Sequence, residues 1–219
     1  MCSSDLYSYD QSDPYSRCIT STTGHSAIVP ALLDGLPRHE VQSKFGPVSG
    51  CIERFEESDD GVRIACAYSV PGCGAMLNRY VFVGRSHEVV VVDTFDAPDT
   101  ADVVQRFLLG PGVEAASDGA CLHLSAQKFA GTLIHRGSDA DIYKGQRDDK
   151  IRGWTAFEFG RVTPATGVDL RSRDGERTYS TIVRLEGGGW SDCSPAAVNF
   201  AGRTDPFFGT GAARLRDDN

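Results

Sequence analysis

The chain has 219 residues, 40% hydrophobic and 24% charged, which predicts one soluble globular domain. No stretch approaches the roughly 20 apolar residues that a membrane-spanning helix needs, and no signal peptide is visible after Met1. The formal net charge of −8, from 22 basic and 30 acidic residues, disfavours a nucleic-acid-binding protein, because such a protein needs a basic surface.

The N-terminal third is predicted to hold a few strands separated by loops. Residues 1–6 are expected to be a loose or truncated start. Cys18 to Pro30 is β-branched on both sides of Gly24-His25 and predicts a strand. Leu36 to Gly50 contains two prolines and two glycines and is expected to be a loop. Cys51 to Phe55 and Gly61 to Val70 predict a hairpin.

Tyr80 to Phe95, YVFVGRSHEVVVVDTF, predicts a hairpin at the middle of a sheet. In its first half Val81 and Val83 alternate with Tyr80 and Phe82, and its second half contains the unbroken run Val89 to Val92. The turn is expected at Gly84-Arg85-Ser86. We expect Val81, Val83, Val89 and Val91 to lie deep in the core.

The rest of the chain shows short apolar segments between turns, a spacing typical of an all-β antiparallel β-sandwich of many short strands. The sandwich is expected to span residues 7–186, with a glycine-rich C-terminal extension over 187–219. Strands are predicted at 99–108, 113–116, 120–124, 132–136, 153–160, 168–171 and 177–185.

The seven cysteines form no Cys-x-x-Cys pair, which excludes a zinc ribbon and a thioredoxin-type motif. Cys66 and Cys73 flank the turn at Pro71-Gly72 and could form a disulfide. Buried free thiols are the alternative that we favour, because the number of cysteines is odd.

Two separated stretches resemble one family. Asp13 to Val29, DPYSRCITSTTGHSAIV, contains an arginine, a run of small residues and a histidine. A Val-Asp pair ending at Asp93 follows an apolar strand, and Gly153-Trp154 begins a Gly-Trp-x-x…Gly…Pro stretch. In this order these motifs resemble the C-terminal β-sandwich of heparinase II/III-like polysaccharide lyases. The resemblance covers Tyr7 to Leu185, although Ser26 stands where the family usually has asparagine.

In that family a helical toroid precedes the sandwich, and the enzyme cleaves uronic-acid polysaccharides by β-elimination. The reaction needs a group that neutralises the carboxylate, a base for the C5 proton and an acid for the leaving oxygen. The resemblance implies that the toroid supplies a tyrosine and an asparagine. This sequence is therefore expected to be a lyase fragment that is inactive without its N-terminal helical domain. The resemblance also implies an acidic polysaccharide as partner and a location in the cell envelope or periplasm, or outside the cell.

By resemblance His25 is the catalytic candidate, and Arg17 and Tyr9 are the candidate substrate-binding residues. His25 could instead be a structural histidine, and Arg17 could be an ion-pair partner within the fold. Trp154 and its neighbours Phe157 and Phe159 resemble a sugar-stacking platform, although core packing is the more common role of alternating aromatic residues.

Some members of the family carry a structural zinc held by histidine and aspartate. Neither His25 nor His39 has metal-ligand spacing here, and Leu108 stands where histidine is common, so we predict no cofactor. The rival prediction for the whole chain is a free-standing carbohydrate-binding or structural sandwich without catalysis.

Overall fold

The computed structural model of the protein describes residues 7–8, 10, 12–85, 87–96, 102–119, 121–127, 129–135, 138–172 and 178–185. The predicted loose start over 1–6 and the predicted extension over 187–219 lie outside these residues. The described chain forms two short α-helices and fourteen strands. The helices are α1 (Pro14–Thr20) and α2 (Arg38–Phe45). The strands are β1 (Ile28–Pro30), β2 (Ser49–Ser58), β3 (Gly61–Val70), β4 (Ala75–Gly84), β5 (Glu88–Asp96), β6 (Val103–Leu108), β7 (Glu114–Asp118), β8 (Cys121–Ala126), β9 (Phe129–His135), β10 (Ser138–Lys144), β11 (Trp154–Glu158), β12 (Arg161–Pro164), β13 (Thr166–Ser172) and β14 (Thr178–Leu185).

The strands form an antiparallel β-sandwich, which confirms the predicted fold class. An eight-stranded sheet has the order β2-β3-β4-β5-β14-β9-β8-β7, and a four-stranded sheet has the order β1-β6-β13-β10. Strands β11 and β12 form a separate hairpin. Among the described residues no helix is both long and apolar enough to cross a membrane.

The predicted central hairpin is confirmed as β4 and β5, which lie side by side in the middle of the large sheet. Its four valines are not equally buried, however. Val91 is 6% exposed, Val81 and Val89 are half-buried, and Val83 is 42% exposed. The prediction of a deep core position is therefore confirmed for Val91 but not for Val81 and Val89, and it is wrong for Val83, because four strands cannot cover the whole inner face of eight.

The main core lies between the two sheets, where valine, leucine and phenylalanine side chains meet. A second group of apolar side chains packs under α2, where Val29, Leu33, Val41 and Val70 are in contact. The main core contains Val91, Phe107, Val113, Leu122, Leu124, Leu133, Val168 and Leu170.

The segment predicted as one strand over 18–30 is mostly helical. Helix α1 begins after Asp13, whose carboxylate accepts hydrogen bonds from the backbone N–H groups of Tyr15 and Ser16 at 2.8 and 2.9 Å. Asp13-Pro14 is a strong helix start. Asp13 caps the first turn, and Pro14 costs no helical hydrogen bond, because the N–H at the first helical position has no partner within the helix. A 3₁₀ turn follows at Thr22–Gly24, and only Ile28–Pro30 forms a strand. Likewise, α2 lies within the predicted loop over 36–50.

Cys66 and Cys73 are free thiols. Cys66 lies opposite Arg79 in the β3–β4 ladder, whereas Cys73 lies in the turn between these strands, so the two residues do not face each other. The interpretation as free thiols is confirmed for this pair, and both residues are half-buried.

Candidate functional site

His25 lies on the wall of a cavity of about 710 Å³ between the N-terminal segment and the inner face of β3 and β4. We call this the His25 cavity. Its polar wall includes Thr22, His25, Arg38, Tyr68 and Arg79. The apolar part of the wall is formed by Ile28, Leu33, Leu36, Val41, Val70 and Leu77.

The backbone on the N-terminal side of His25 is tightly folded. Its N–H donates to the Thr22 carbonyl at 3.4 Å, and the Gly24 N–H donates to the Ser21 carbonyl at 3.1 Å. A Cβ atom at Gly24 would lie 2.5 Å from the carbonyl oxygen of Ile19. Glycine is therefore required immediately before the histidine. The imidazole itself is half-buried, as a proton-transfer group at the rim of a site must be to reach a ligand.

The backbone on the C-terminal side of His25 is held by strand β6. The Ser26 hydroxyl accepts a hydrogen bond from the Leu108 N–H at 3.0 Å. Ala27 then exchanges two backbone hydrogen bonds with Arg106, at 3.0 and 2.7 Å. His25 thus projects from a short connection that is fixed at both ends.

The titratable groups on the wall carry no negative charge at neutral pH. Burial raises the pKa of Tyr68 to about 12 and also raises the pKa of the Cys66 thiol, so both side chains stay protonated. Burial lowers the pKa of Arg79, but the hydrogen bonds and charge of Asp93 outweigh this effect, and the net shift is upward. Arg38 is exposed, and no described residue forms an ion pair with it. The wall therefore favours an anionic ligand.

Arg17 lies elsewhere, in a second and smaller cleft of about 310 Å³. We call this the Arg17 cleft. Arg17 projects from α1 and forms an ion pair with Glu40 of α2 at 2.5 Å. The cleft also contains Arg106, Lys150 and Arg152. The structure therefore does not bring Arg17 and His25 into one cavity, and Tyr9 lies outside the described residues.

The three aromatic residues near β11 separate into two kinds. The Trp154 ring is 3% exposed and packs edge-on against Tyr15, with ring centres 5.1 Å apart, under the guanidinium of Arg147. Phe157 and Phe159, by contrast, are 57% and 67% exposed. The core role holds for Trp154, which Tyr15 of α1 covers, and not for the two exposed phenylalanines.

The described residues do not fit a zinc site of the kind that some heparinase II/III-like lyases carry. No three His, Cys, Asp or Glu side chains cluster among them. Asp93 is fully buried, and both of its oxygens already accept hydrogen bonds from Arg79 at 2.7 Å. An aspartate engaged in this way has no oxygen to offer a metal in the present arrangement.

Sequence reasoning missed Arg38 and Arg79 as wall residues of the His25 cavity. Arg38 stands in a Pro-Arg-His-Glu stretch, which predicts a solvated loop. Arg79 directly precedes the predicted hairpin, which begins at Tyr80, and extending its alternation by one residue would place Arg79 on the same face as Val81.

The fold is similar to that of solved lyase structures. A heparinase III, the BT4657 gene product, superposes with a TM-score of 0.62 at 12% identity over 83% of this chain and 27% of its own. The heparan sulfate lyase HepC from Pedobacter heparinus gives 0.61 at 11% identity over 86% and 28%. Another heparinase III crystal structure gives 0.59 at 11% identity over 83% and 26%.

No protein-family model matches the chain, and no curated protein matches it by sequence. At this level of identity the superpositions establish the fold and leave the chemistry to be argued from the site. The chain has the fold of one part of the heparinase III structures, a part that makes up about 27% of their length.

Proposed function

We propose that the chain is the β-sandwich portion of a polysaccharide lyase that cleaves uronic-acid polysaccharides by β-elimination. In this proposal His25 is the proton-transfer group that the sandwich contributes to the site. The observation that carries the proposal is the half-buried position of His25 on the wall of a large cavity within a heparinase III fold. Secretion to the cell envelope or beyond belongs to the same proposal, because the polymer is extracellular.

The charge of the His25 cavity supports a uronate as the ligand. β-Elimination requires that the carboxylate be neutralised, since the carbanion at C5 is otherwise too costly to form. Arg38 offers a guanidinium that is not engaged by a described carboxylate, whereas Arg17 is already paired with Glu40. We therefore assign the first contact with the uronate to Arg38. Arg17, which lines its own cleft, and Tyr9 remain predicted substrate-binding residues.

An open apolar face supports a second domain that completes the site. Ile52 and Phe55 on β2 are 67% and 63% exposed, and Val83 on β4 is 42% exposed. The β2–β3 register places Ile52 opposite Cys66, a wall residue of the His25 cavity, so this face continues directly from the cavity. Because the chain matches only 27% of the heparinase III length, we propose that an N-terminal helical domain covers this face.

A second candidate function is carbohydrate binding without catalysis. The exposed rings of Phe157 and Phe159 favour it, since sugars stack on accessible aromatic faces. In that case the ligand would bind at the β11–β12 hairpin, and His25 would be a structural histidine.

The test uses the full reading frame that contains this sequence. Elimination leaves an unsaturated uronate that absorbs ultraviolet light, so product formation can be followed directly with uronic-acid oligosaccharides. We expect the complete protein to form this product and His25→Ala to lower turnover by about 100-fold or more. The matched control is His123→Ala, because His123 is an exposed histidine on β8, outside the cavity.

Binding to the isolated chain distinguishes the two candidates. Arg38→Gln should weaken oligosaccharide binding more than Arg17→Gln does if the His25 cavity is the site. Loss of binding in Phe157→Ala or Phe159→Ala, together with wild-type binding in Arg38→Gln, would instead favour the non-catalytic function.

A further inference from the structure

Arg79 links the interior of the sandwich to the segment that carries His25. From β4 its Nε and Nη2 atoms each donate a hydrogen bond of 2.7 Å to the two carboxylate oxygens of Asp93 on β5. Its Nη1 atom donates a third bond, of 2.8 Å, to the carbonyl oxygen of Ser26. Ser26 directly follows His25, so one guanidinium joins a buried carboxylate to the backbone of the candidate site.

Asp93 is itself fixed by residues of both sheets. Its Oδ2 atom also accepts a hydrogen bond of 2.8 Å from the Gln105 amide on β6, and the Thr181 hydroxyl on β14 donates to Gln105 at 2.6 Å. Asp93, Gln105 and Thr181 are all fully buried. Because Asp93 is buried, its charge-assisted bonds hold the guanidinium of Arg79 in one orientation, although part of the Arg79 side chain reaches the cavity wall.

The position of Ser26 depends on few other contacts. It lies between the 3₁₀ turn and β1, and it is outside both sheets. The Ser26 hydroxyl accepts a hydrogen bond from the Leu108 N–H, and the Ser26 carbonyl accepts one from Arg79. Without Arg79 the carbonyl would lose the bond that ties this segment to the large sheet.

We propose that Arg79 is a positioning residue that fixes His25 against the large sheet through the Ser26 carbonyl, with Asp93 and Gln105 setting the direction of its guanidinium. The inference rests on the proposed role of His25 for its functional meaning. The positioning itself can be tested without any substrate, so its failure is distinguishable from failure of the proposed function.

The test measures backbone amide exchange in the intact chain by NMR. The reporters are the amides of His25 and Ala27, which bond to the carbonyls of Thr22 and Arg106. In Arg79→Met we expect both to exchange about fivefold faster or more, the scale of one lost hydrogen bond. Arg79→Lys keeps the positive charge but cannot make all three hydrogen bonds. The exchange rates of these two amides should therefore lie between those of the wild type and those of Arg79→Met. The His25 ring resonances should shift in both variants.

Because Arg79→Met leaves a buried carboxylate uncompensated, the double variant Arg79→Met/Asp93→Asn is measured in parallel. The asparagine keeps an acceptor for Gln105 and removes the buried charge. The control is Arg184→Met, which breaks the pair with Glu88 on the opposite face of the same sheet. Faster exchange at His25 and Ala27 in the double variant, and not in the control, supports the proposal. Unchanged exchange at both amides in the double variant overturns it.

Discussion

Arg106 on β6 and Asp169 on β13 form a bidentate ion pair in which two hydrogen bonds of 2.7 Å join side chains that are each 1% exposed. The third guanidinium nitrogen of Arg106 donates to Asp34 at 2.7 Å, and the Tyr143 hydroxyl donates to Asp169 at 3.0 Å. Through its bond to Asp34, Arg106 ties the small sheet to the connection between β1 and α2.

Arg106→Met should lower the free energy of unfolding by about 3–5 kcal/mol, because the buried Asp169 loses its bidentate partner. Arg152, 3.8 Å from the Oδ2 atom of Asp169, does not replace those two hydrogen bonds. Urea titration measures the loss. The matched control is Arg161→Met, which removes an exposed pair with Glu158 and should change stability by less than about 1 kcal/mol. Equal losses in the two variants would contradict the structural role of the buried pair.

Val91→Ala should lower the free energy of unfolding by about 1–3 kcal/mol through lost burial and cavity formation. Val91 is 6% exposed in the main core, whereas Val83 on the neighbouring strand is 42% exposed. Val83→Ala should therefore cost less than about 0.5 kcal/mol in the same titration. A negligible loss at position 91 would show that the sheets do not pack as described.

Much of this fold follows from local pattern, and the exceptions have physical causes. Alternation and β-branched runs correctly predicted β3, the β4–β5 hairpin and β14. The same β-branched content misled for residues 18–20, because Asp13 and Pro14 supply a helix start that outweighs strand propensity over one turn. The exposure of Val83 depends on the extent of the opposite sheet, which no local pattern encodes.

The candidate site also has one part that the sequence predicted and another that depends on the tertiary fold. The resemblance singled out His25 as the catalytic candidate, and in the structure this residue is half-buried on a cavity wall. The remainder of that wall comes from residues distant in sequence, since Arg38 belongs to α2 and Arg79 to β4. Sequence neighbours of His25 therefore could not reveal them.

Gly24→Ala should destabilise the chain by about 1–3 kcal/mol, because the added methyl group would meet the backbone of Ile19 at 2.5 Å. The strain arises one residue before His25, so the chemical shifts of the His25 imidazole should change as well. Gly110→Ala is the control, since its nearest neighbour is a Val113 methyl at 3.9 Å. A neutral effect at position 24 would mean that the α1 turn can shift away.

Stability should fall as pH rises from about 9 towards about 12, in part through Cys18. Burial raises the pKa of this thiol from 9.0 to about 12. The unfolded chain then loses the thiol proton at lower pH than the folded chain does, so deprotonation favours unfolding within that window. Cys18→Ala should remove this contribution, which has a slope of up to about 1.4 kcal/mol per pH unit. Denaturant titrations at several alkaline pH values measure the slope, and identical slopes for both chains would refute the assignment.

The isolated chain should show no elimination activity on heparin, heparan sulfate or alginate. The reason is that the proposal assigns the tyrosine and asparagine of the reaction to the helical domain. Ultraviolet absorbance of unsaturated product is the measurement, with heat-treated protein as the blank. Steady product formation above that blank would show that this sandwich holds a complete site.

The order of the large sheet has a consequence for synthesis on the ribosome. Strand β14 inserts between β5 and β9, pairing Thr178 with Thr94 and Leu185 with Gly131. Before residues 178–185 emerge, β2 to β5 and β7 to β9 can form only two separate meanders, each with an unpaired inner edge. Until β14 has emerged, the inner edges of β5 and β9 must not pair with other strands. Closure of the sheet is therefore a late and non-local step.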